Sequence, residues 1–523
     1  MTAPTLGVAQ PTPARNHSGT PAADPGPPSL VAGPAGFTYT APKPEPLSAI
    51  VRRFWPQTSY MTRGELESAI REQNKLGKTL FLKKGQMVAV PGVEPQPVVE
   101  KTVAVPPEFE VRAVYLTGAM AASDRGLNIA RRWREKGGNA VVFDIKDSDG
   151  IVNIPFDHPL AFHHTPAIPN LPKYVRFLHS QGLHAIARIA LFRDEHIAQR
   201  HSELAVRSRR SGEAWRENGK LVWSDPSNRK VQEYDLALAK QVAASGVDEI
   251  QFDYVRFPAE GDQKDAQFAY EANAPCSSSK SASAAEVTET AKPAARPAVL
   301  CGPQTRSQVI AGFLKQAYAE LHPQGVLLSL DVFGVMAWQR PVDLSHTGQD
   351  IAQMARYCDV LSPMIYPSHF FGMDGYTKPG DAPEHFISES MQRFRKVTAG
   401  TDVIVRPWLQ AFAWRTKTYG ADYIRRQVVV SRDNGGDGFL FWNARNDYAK
   451  PVEAMTAMKA EPGKFFRGDE LADAPRLLAE HQKLMAEREA RPAPAAPAEA
   501  RPPVAPTPRH REARPVNTRI SQK

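Results

Sequence analysis

The segment DEIQFDYVRFP, residues 248–258, lies at the centre of a long region that alternates strand-like and helical patterns. Its core, residues 249–254, alternates polar and apolar side chains, which is the pattern of a β-strand with two different faces. Ile250 and Phe252 share one face and are expected to pack against helices. Gln251 and Asp253 share the other face, which places Asp253 on the inner side at the carboxyl end of this strand.

Eight apolar runs of this kind occur in the middle of the chain. In chain order they are residues 111–118, 140–144, 185–191, 249–254, 326–333, 360–366, 403–409 and 438–443. Helical patterns separate most of them, for example at residues 229–245 and 308–321. Strands that alternate with helices pair in parallel, so eight such units predict an α/β fold, a (β/α)8 TIM barrel. A doubly wound open sheet is the alternative, but no Gly-rich phosphate loop follows the first strand.

Composition divides the rest of the chain into shorter segments. Residues 1–36 and 491–523 are rich in proline and are predicted to be disordered. A compact stretch at residues 37–93 and a Pro/Val linker at residues 94–110 precede the barrel, which is predicted to span residues 111–464. A Ser/Ala-rich insertion at residues 260–302 follows the fourth strand, either as a mobile lid or as a neutral unstructured segment. A polar helix is predicted at residues 465–490.

The formal net charge of +9 owes much to the C-terminal tail. Residues 491–523 carry six Arg and one Lys against two Glu, which predicts a solvated tail or one that contacts an anionic polymer or surface. No zinc spacing, RNP motif or basic helix accompanies this charge, so we expect no nucleic-acid partner. No apolar run approaches the roughly 18 residues that cross a bilayer, so we expect no transmembrane segment.

The three cysteines bear on the cellular compartment. Cys358 has apolar neighbours and is predicted to be buried. Cys276 and Cys301 flank the insertion, and a disulfide between them would close that loop and would require an oxidising compartment. The first residues lack the apolar core of an export signal, so no signal peptide is visible.

The alternation of strand residues places a set of polar and aromatic side chains at one end of the barrel. Asp144 and Lys146 on the second strand are predicted to point inward, as is Arg188 on the third. The full predicted set is Asp144, Lys146, Arg188, Gln251, Asp253, Asp331, Tyr366, His369, Arg406, Trp408, Gln410 and Trp442. Any single member could be part of a structural ion pair. Because unpaired buried charge is costly, the whole set predicts a polar binding or catalytic pocket.

The residue types in this pocket favour glycoside hydrolysis. The sequence has no His-x-His on an early strand, no Gly-x-Ser-x-Gly motif, no P-loop and no complete EF-type loop around residues 147–150, so we expect neither a metal nor a cofactor. Paired carboxylates can protonate a leaving oxygen and attack the sugar or activate water. The aromatic side chains can stack on the apolar faces of sugars.

Roles follow from the predicted neighbours. Asp253 is the expected nucleophile with Arg188 as its charge partner, and Asp331 is the expected general acid/base. Asp144 is the reserve acid, although Lys146 beside it would lower its pKa. Adjacent strand ends favour a retaining mechanism, since neighbouring strands lie about 4.8 Å apart. The remaining members of the set are expected to bind substrate: Lys146, Arg188, Gln251, Tyr366, His369, Arg406, Trp408, Gln410 and Trp442.

A family resemblance supports this interpretation. The motifs are VRAVYLTG, VVFDIKDSDG, ARIALFRD, WSDP, DEIQFDYVRFP, LDVFG, SPMIYPSHF, RPWLQAF and FLFWNARNDY, at residues 111–448. Together they resemble the glycoside hydrolase-like family of bacterial barrel proteins known as DUF4015, a domain of formerly unknown function. The resemblance implies a TIM barrel related to carbohydrate-active enzymes and names no substrate. The long insertion after DEIQFDYVRFP departs from the family pattern.

The N-terminal compact stretch has a resemblance of its own. YTAPKPEPLSAIVRRF at residues 39–54, ELESAIREQNKL at 65–76 and LKKGQMVAVPG at 82–92 look like a LysM module. The resemblance implies a βααβ unit that binds glycans containing N-acetylglucosamine, with peptidoglycan as the ligand and the cell envelope as the setting. Pro44-Glu45 stands where the family usually has Gly-Asp, and a packing module without glycan affinity is the alternative.

Taken together, the sequence predicts a glycoside hydrolase that acts on an envelope or extracellular polysaccharide in the periplasm or outside the cell. A non-catalytic glycan-binding or wall-anchoring protein on a degenerate barrel is the main alternative. A lyase or transglycosylase is a third possibility, which product analysis would separate because a lyase leaves an unsaturated sugar.

Overall fold

The computed structural model describes residues 30–33, 36–94, 98–105, 109–272 and 304–467, together with the single residue 479. The proposed Cys276–Cys301 bridge lies outside the described residues. So do most of the insertion, most of the predicted C-terminal helix and the whole tail. Cys358 is buried with a free thiol, as its apolar neighbours predicted. Within the described part of the chain, no helix combines the length and the apolar character that crossing a membrane requires.

The N-terminal module packs two helices against small antiparallel sheets. Its strands are Val31–Gly33, Gly36–Thr40, Glu45–Pro46, Phe81–Leu82 and Met87–Val90, and its helices are Leu47–Phe54 and Arg63–Gln73. The strand Gly36–Thr40 pairs directly with Met87–Val90. Both helices lie between these two strands in the chain, which is the predicted βααβ order. The module begins earlier than predicted, because Val31–Gly33 pairs with Gly36–Thr40 inside the stretch expected to be disordered. Glycan binding by this module stays a prediction.

Eight parallel strands close into a barrel, which confirms the predicted TIM-barrel fold. The strands in chain order are Arg112–Leu116, Ala140–Lys146, His184–Ala190, Glu249–Asp253, Leu327–Phe333, Val360–Ile365, the pair Ile404–Val405 and Trp408–Gln410, and Phe439–Trp442. Each strand pairs with the next, and the eighth pairs with the first through Phe439 and Arg112. The seventh strand is interrupted around Pro407, because proline has no N–H to donate to a neighbouring strand.

Helices cover the outside of the barrel. The helices of four or more residues are Gly118–Ala121, Asp124–Glu135, Leu171–Ser180, Glu195–Arg200, Arg229–Ala243, Ala269–Ala272, Arg306–Leu321, Pro341–Thr347, Ile351–Met354, Pro383–Val397, Ala421–Asp433, Ala449–Ala460 and Pro462–Phe465. Local sequence explains several of their first turns. The Asn170 side chain accepts a hydrogen bond from the amide of Lys173, and Thr305 forms a capping box with Gln308.

Short elements complete the loops. The 3-10 turns are Trp55–Gln57, Ser202–Leu204, His322–Gln324, Gly334–Trp338, Ala355–Tyr357, Pro367–His369 and Pro379–Asp381. The short strands are Arg207–Ser208, Arg216–Glu217, Leu221–Val222 and Ala266–Gln267. The last of these pairs with Arg207–Ser208, so the start of the insertion is attached to the loop after the third strand.

Apolar and charged side chains fill the barrel in different layers. Phe143, Phe252 and Leu330 are fully buried on the outer side of their strands, in the core between strands and helices. At the amino end of the strands, the interior contains a buried ion pair instead. Nη1 of Arg406 lies 2.8 Å and 3.0 Å from the two carboxylate oxygens of Glu249. This pairing lowers the pKa of Glu249 to about 2 against the opposing effect of burial.

The predicted linker packs under the amino end of the barrel. Val103, Val105 and Phe109 are buried there in one cluster with strand residues. The amide of Val103 donates to Asp248, which anchors the segment to the turn before the fourth strand. The N-terminal module also contacts the barrel helices, since Glu65 forms an ion pair of 2.6 Å with Arg131.

Removing one partner of the buried Arg406–Glu249 pair should destabilise the fold. Arg406→Met leaves the Glu249 carboxylate desolvated without its cation, and we expect the free energy of unfolding to fall by about 3–5 kcal/mol. Urea unfolding followed by circular dichroism measures this. The double variant Arg406→Met/Glu249→Leu removes both charges and should recover part of the loss. A single variant as stable as the parent would contradict the importance of this pair.

Candidate active site

The carboxyl ends of neighbouring strands bring four charged side chains together. Asp144, Arg188, Asp253 and Asp331 come from the second, third, fourth and fifth strands, and all four are buried. Strand register explains their meeting, because Asp144 pairs with Arg188 and Asp253 pairs with Ala190 on the same third strand. The predicted inward positions of these four residues and their common end of the barrel are therefore confirmed.

Arg188 is the centre of this cluster. Its Nη1 donates to Oδ1 of Asp144 at 2.6 Å, and its Nη2 and Nε donate to Oδ2 of Asp253 at 2.6 Å and 3.1 Å. Its Nε also lies 4.0 Å from Oδ2 of Asp331. A fourth carboxylate, that of the partly exposed Asp147, lies 3.4 Å from Nη1. One guanidinium thus faces three buried carboxylates and one at the rim.

Asp253 has both carboxylate oxygens occupied by donors. Arg188 donates to Oδ2, and the amide of Tyr254 donates to Oδ1 at 2.6 Å. These donors fix the orientation of the carboxylate group. Tyr254 itself has a φ of 50°, in the left-handed region that side chains other than glycine rarely adopt. Strained backbone of this kind occurs at functional sites, where the surrounding structure holds it in place.

Asp331 is in a less polar setting. Its Oδ1 accepts a hydrogen bond of 2.7 Å from Nε1 of Trp408, and the residue is 1% exposed. Burial raises the pKa of Asp331 well above its usual range, and the neighbouring charge of Asp253 raises it further. The site therefore favours the neutral form of Asp331, which lies beside the carboxyl group of Asp253 that Arg188 holds.

Asp144 also has a raised pKa, for the same main reason. Desolvation raises the pKa of Asp144 to about 7, although Arg188 acts in the opposite direction. The hydroxyl of Tyr115 donates to its Oδ2. The expectation that Lys146 lowers this pKa is wrong, because the ammonium of Lys146 lies on the other side of the strand.

A break in strand register accounts for the position of Lys146. The pairing between the second and third strands shifts between Asp144 and Lys146, so Lys146 pairs with the outward-facing Ile189. Its Nζ lies 2.9 Å from Asp194 and 2.7 Å from Asp235, between the barrel and a covering helix. Lys146 is therefore a buried structural cation and not a residue of the pocket.

Three other predicted members lie away from the open mouth. Arg406 forms its ion pair with Glu249 at the amino end of the barrel, one layer too deep for a ligand. Gln251 is fully buried below Asp253, where its amide donates to Ser362. Gln410 is also fully buried and holds two loops, accepting from the amide of Ser368 and donating to Thr416.

Aromatic side chains form one wall of the pocket. Tyr115 stacks on Trp442 with ring centres 4.0 Å apart, and Trp408 meets Trp442 edge-on at 5.7 Å. The guanidinium of Arg188 lies over the Trp442 ring at 5.4 Å. Sequence analysis did not select Tyr115, although the alternation of the first strand places it on the inner face.

A second aromatic group continues from the pocket towards solvent. The Tyr366 ring lies 5.5 Å from His369, and His369 lies 4.9 Å from Trp414. Trp414 and Phe371 contact each other edge-on and are 46% and 48% exposed. We call His369, Phe371 and Trp414 the aromatic platform. Its last two members lie beyond the strand ends, where strand alternation makes no assignment.

Comparison with known proteins identifies the family of this barrel. A family model described as "DUF4015: Putative glycosyl hydrolase domain" matches residues 113–448, which is well over half of the chain. The chain belongs to this family. The match covers all eight strands from Ala113 onward, and it confirms the family resemblance of the motifs. No curated protein matches the chain in sequence.

Several solved structures are similar to the chain. A hypothetical protein from Ruminiclostridium thermocellum ATCC 27405 is 31% identical, with 42% of this chain and 97% of that chain covered at a TM-score of 0.32. The PgaB (BpsB) glycoside hydrolase domain from Bordetella bronchiseptica is 13% identical, with coverages of 68% and 99% and a TM-score of 0.45. The spore cortex-lytic enzyme SleL from Bacillus megaterium QM B1551 is 12% identical, with coverages of 83% and 87% and a TM-score of 0.38.

The raised pKa of Asp144 predicts a measurable pH dependence of stability in this DUF4015 barrel. The folded state binds the Asp144 proton more tightly than the unfolded state, so the contribution of Asp144 to stability falls as pH rises from about 4 to about 7. Asp144→Asn removes this proton, so its stability relative to the wild type should increase over the same range. Urea unfolding at several pH values measures the difference. Asp402→Asn, an exposed residue just before the seventh strand, is the matched control, and parallel pH curves for Asp144→Asn and wild type would contradict the assignment.

Proposed function

We propose that the protein is a retaining glycoside hydrolase that acts on a polysaccharide. One observation carries the proposal: a carboxylate stabilised by an arginine, Asp253, stands beside a buried carboxyl group with a raised pKa, Asp331. Glycoside hydrolysis requires one carboxyl group that keeps its proton and another that stays ionised. Membership of the glycosyl hydrolase-like family supports the same reaction class.

Asp253 would act as the nucleophile. Its Oδ2 is held by Arg188 and its Oδ1 by the Tyr254 amide, so the carboxylate has a fixed orientation. It is 6% exposed, the largest value among the three carboxylates of the cluster, which leaves it the most accessible to a sugar. Attack on the anomeric carbon would form a glycosyl ester, and the electrons of the cleaved bond would pass to the leaving oxygen.

Asp331 would act as the general acid and then as the general base. It would give its proton to the leaving oxygen, and afterwards accept a proton from the water that hydrolyses the ester. The Trp408 indole fixes one of its oxygens, which leaves Oδ2 for this proton transfer. When Asp253 is neutralised by ester formation, the pKa of Asp331 falls, because the adjacent negative charge is lost.

The separation of the two groups fits retention. Nε of Arg188 lies 3.1 Å from Oδ2 of Asp253 and 4.0 Å from Oδ2 of Asp331, so these oxygens are at most about 7 Å apart. That limit includes the separation of about 5–5.5 Å used by retaining enzymes and excludes most of the inverting range of roughly 6.5–9.5 Å.

The polysaccharide would extend over the aromatic platform. Trp414 lies beside His369, Trp414 and Phe371 expose their rings, and apolar faces of sugars can stack on such rings. The exposed apolar side chains of Leu80, Phe81 and Met87 on the N-terminal module would provide a second glycan contact. We further propose, from the LysM-like resemblance of this module, that it binds peptidoglycan and that the protein works in the cell envelope, periplasmic or secreted.

Substitution of either carboxylate tests the mechanism. With a panel of envelope and exopolysaccharides, we expect Asp253→Asn and Asp331→Asn each to lower the rate of hydrolysis about a thousandfold while glycan binding remains. Asp147→Asn should keep most of the activity, because Asp147 is at the rim. Wild-type rates in both variants would refute the assignment and direct the search to Asp144. Proton NMR of the first product should show the anomeric configuration of the substrate.

The same panel separates the alternatives. Glycan binding without any released product would favour a non-catalytic glycan-binding protein, and an unsaturated sugar in the product would favour a lyase. Cell fractionation tests the proposed location, since recovery of the protein from the cytosol alone would contradict it.

The aromatic platform makes a separate prediction. Trp414→Ala should raise KM for a long oligosaccharide by up to about tenfold, because stacking area is lost, and should leave kcat nearly unchanged. Val342→Ala removes an exposed apolar side chain from the helix Pro341–Thr347 and serves as the control. Equal KM values for Trp414→Ala and wild type across substrate lengths would show that the platform does not bind the chain.

A further inference from the structure

Arg256 is a buried cation at the mouth of the barrel. It lies in the loop that follows the fourth strand and is 6% exposed. Its guanidinium packs over the rings of Phe333 at 4.2 Å, Trp223 at 4.7 Å and Tyr254 at 5.4 Å. Aromatic faces attract a cation and hold its plane in position, but they accept no N–H hydrogen bonds of ordinary strength.

The hydrogen-bonding capacity of Arg256 is largely unused. Its hydrogen bond within the described part of the chain runs from Nη1 to the carbonyl of Phe257. No Asp or Glu among the described residues lies within 4.0 Å of its nitrogens, in contrast to Arg188 and Arg406. Burial lowers the pKa of Arg256, and Glu217 and Asp253 oppose that effect from beyond 4.0 Å, so a directly bound anion would further offset the cost of burying this charge.

A second arginine lies at the same ring. Arg193, in the loop after the third strand, has its guanidinium over the Tyr254 ring at 5.2 Å, and its Nη1 donates to the Tyr254 hydroxyl at 2.8 Å. Its Nε is buried without a hydrogen-bond partner in the described structure. The nearest carboxylate, that of Glu195, lies 3.9 Å from Nη2. Two guanidinium groups therefore lie around one tyrosine with unused donors.

This pair of arginines is adjacent to the proposed nucleophile. Tyr254 follows Asp253 directly and donates its amide to that carboxylate. The left-handed φ of Tyr254 turns the chain away from the strand at this point, so its ring lies among the loop side chains. Burial lowers the pKa of Arg256, and the charge of Asp253 is one of the effects that oppose it, so Arg256 and the proposed nucleophile lie in the same part of the mouth.

We propose that Arg256 and Arg193 form a subsite for the carboxylate of an acidic sugar, so that the substrate is a carboxylated polysaccharide. This inference rests on the proposed function and names its substrate class. The planar guanidinium matches a carboxylate with two parallel hydrogen bonds, whereas a neutral hydroxyl would provide no charge to pair directly with Arg256. Two sources have this chemistry: a uronic acid within the chain and the lactyl ether of muramic acid.

Binding to matched pairs of oligosaccharides tests the subsite. The probes are a tetrasaccharide containing glucuronic acid and a peptide-free tetrasaccharide containing N-acetylmuramic acid, each compared with its carboxyl-reduced form. Calorimetry on the full chain carrying Asp331→Asn avoids turnover. We expect at least one carboxylated probe to bind about ten- to a hundredfold more tightly than its reduced form. The probe that shows this preference identifies the source, and high salt should weaken only that probe.

Variants locate the preference. Arg256→Met and Arg193→Gln should each remove most of it, and the half-buried Arg193 keeps the test valid if Arg256→Met does not fold. Arg393→Met is the matched control, because Arg393 also packs its guanidinium over a ring, that of Trp338, but is already paired with Glu389 at 3.1 Å. Absence of any preference with both probes, or a preference that survives Arg193→Gln and Arg256→Met, would overturn the subsite.

The two proposals fail in different ways. Hydrolysis of neutral polysaccharides with no carboxylate preference would refute the subsite and leave the hydrolase intact. A carboxylate preference that depends on Arg193, without hydrolysis of any carboxylated polymer, would retain the subsite and refute the hydrolase.

Discussion

The buried guanidinium of Arg188 is the interaction on which the mouth of the barrel depends. Asp144, Asp253 and Asp331 approach it from three different strands, and each would be a desolvated negative charge without it. One positive charge cannot balance three negative ones, so the least compensated carboxyl groups keep their protons. Asp253 receives two hydrogen bonds from Arg188, whereas Asp331 lies 4.0 Å from it and has its pKa raised by burial and by the charge of Asp253.

Strand alternation was sufficient to predict the barrel and most of this cluster. Alternation predicts which side of the sheet a side chain points to. It placed Asp144, Arg188, Asp253 and Asp331 inside the barrel correctly, because their strands have no irregularity before these residues. It does not assign depth, which is why Arg406 was expected at the mouth although it pairs with Glu249 at the opposite end. The family motifs, in turn, identified the fold class but carried no information about individual contacts.

Two kinds of feature could not be predicted from the sequence. The shift of register before Lys146 reverses the facing of that residue, and its signal is a pairing between strands that are far apart in the chain. Residues beyond the strand ends, such as Arg193, Arg256 and Trp414, follow no regular alternation in sequence. Their contacts therefore depend on the conformation of the loops. The left-handed Tyr254 shows this dependence, since one dihedral angle sets the direction of the chain that carries Arg256.

Buried charges are compensated differently at the two ends of the barrel. Those at the amino end are paired within the fold, whereas those at the carboxyl end line the candidate site. At the amino end, Glu249 is paired with Arg406 and with His184, so the carboxylate is compensated within the fold. At the carboxyl end, carboxylates outnumber the arginine inside the pocket, while Arg256 at the rim has aromatic neighbours instead of a carboxylate. Direct ion pairing between Arg256 at the rim and the carboxylates of the pocket would stabilise the protein without substrate. Keeping them apart would leave a proton donor, a nucleophile and a cation for one sugar, as the proposed hydrolysis of a carboxylated glycan requires.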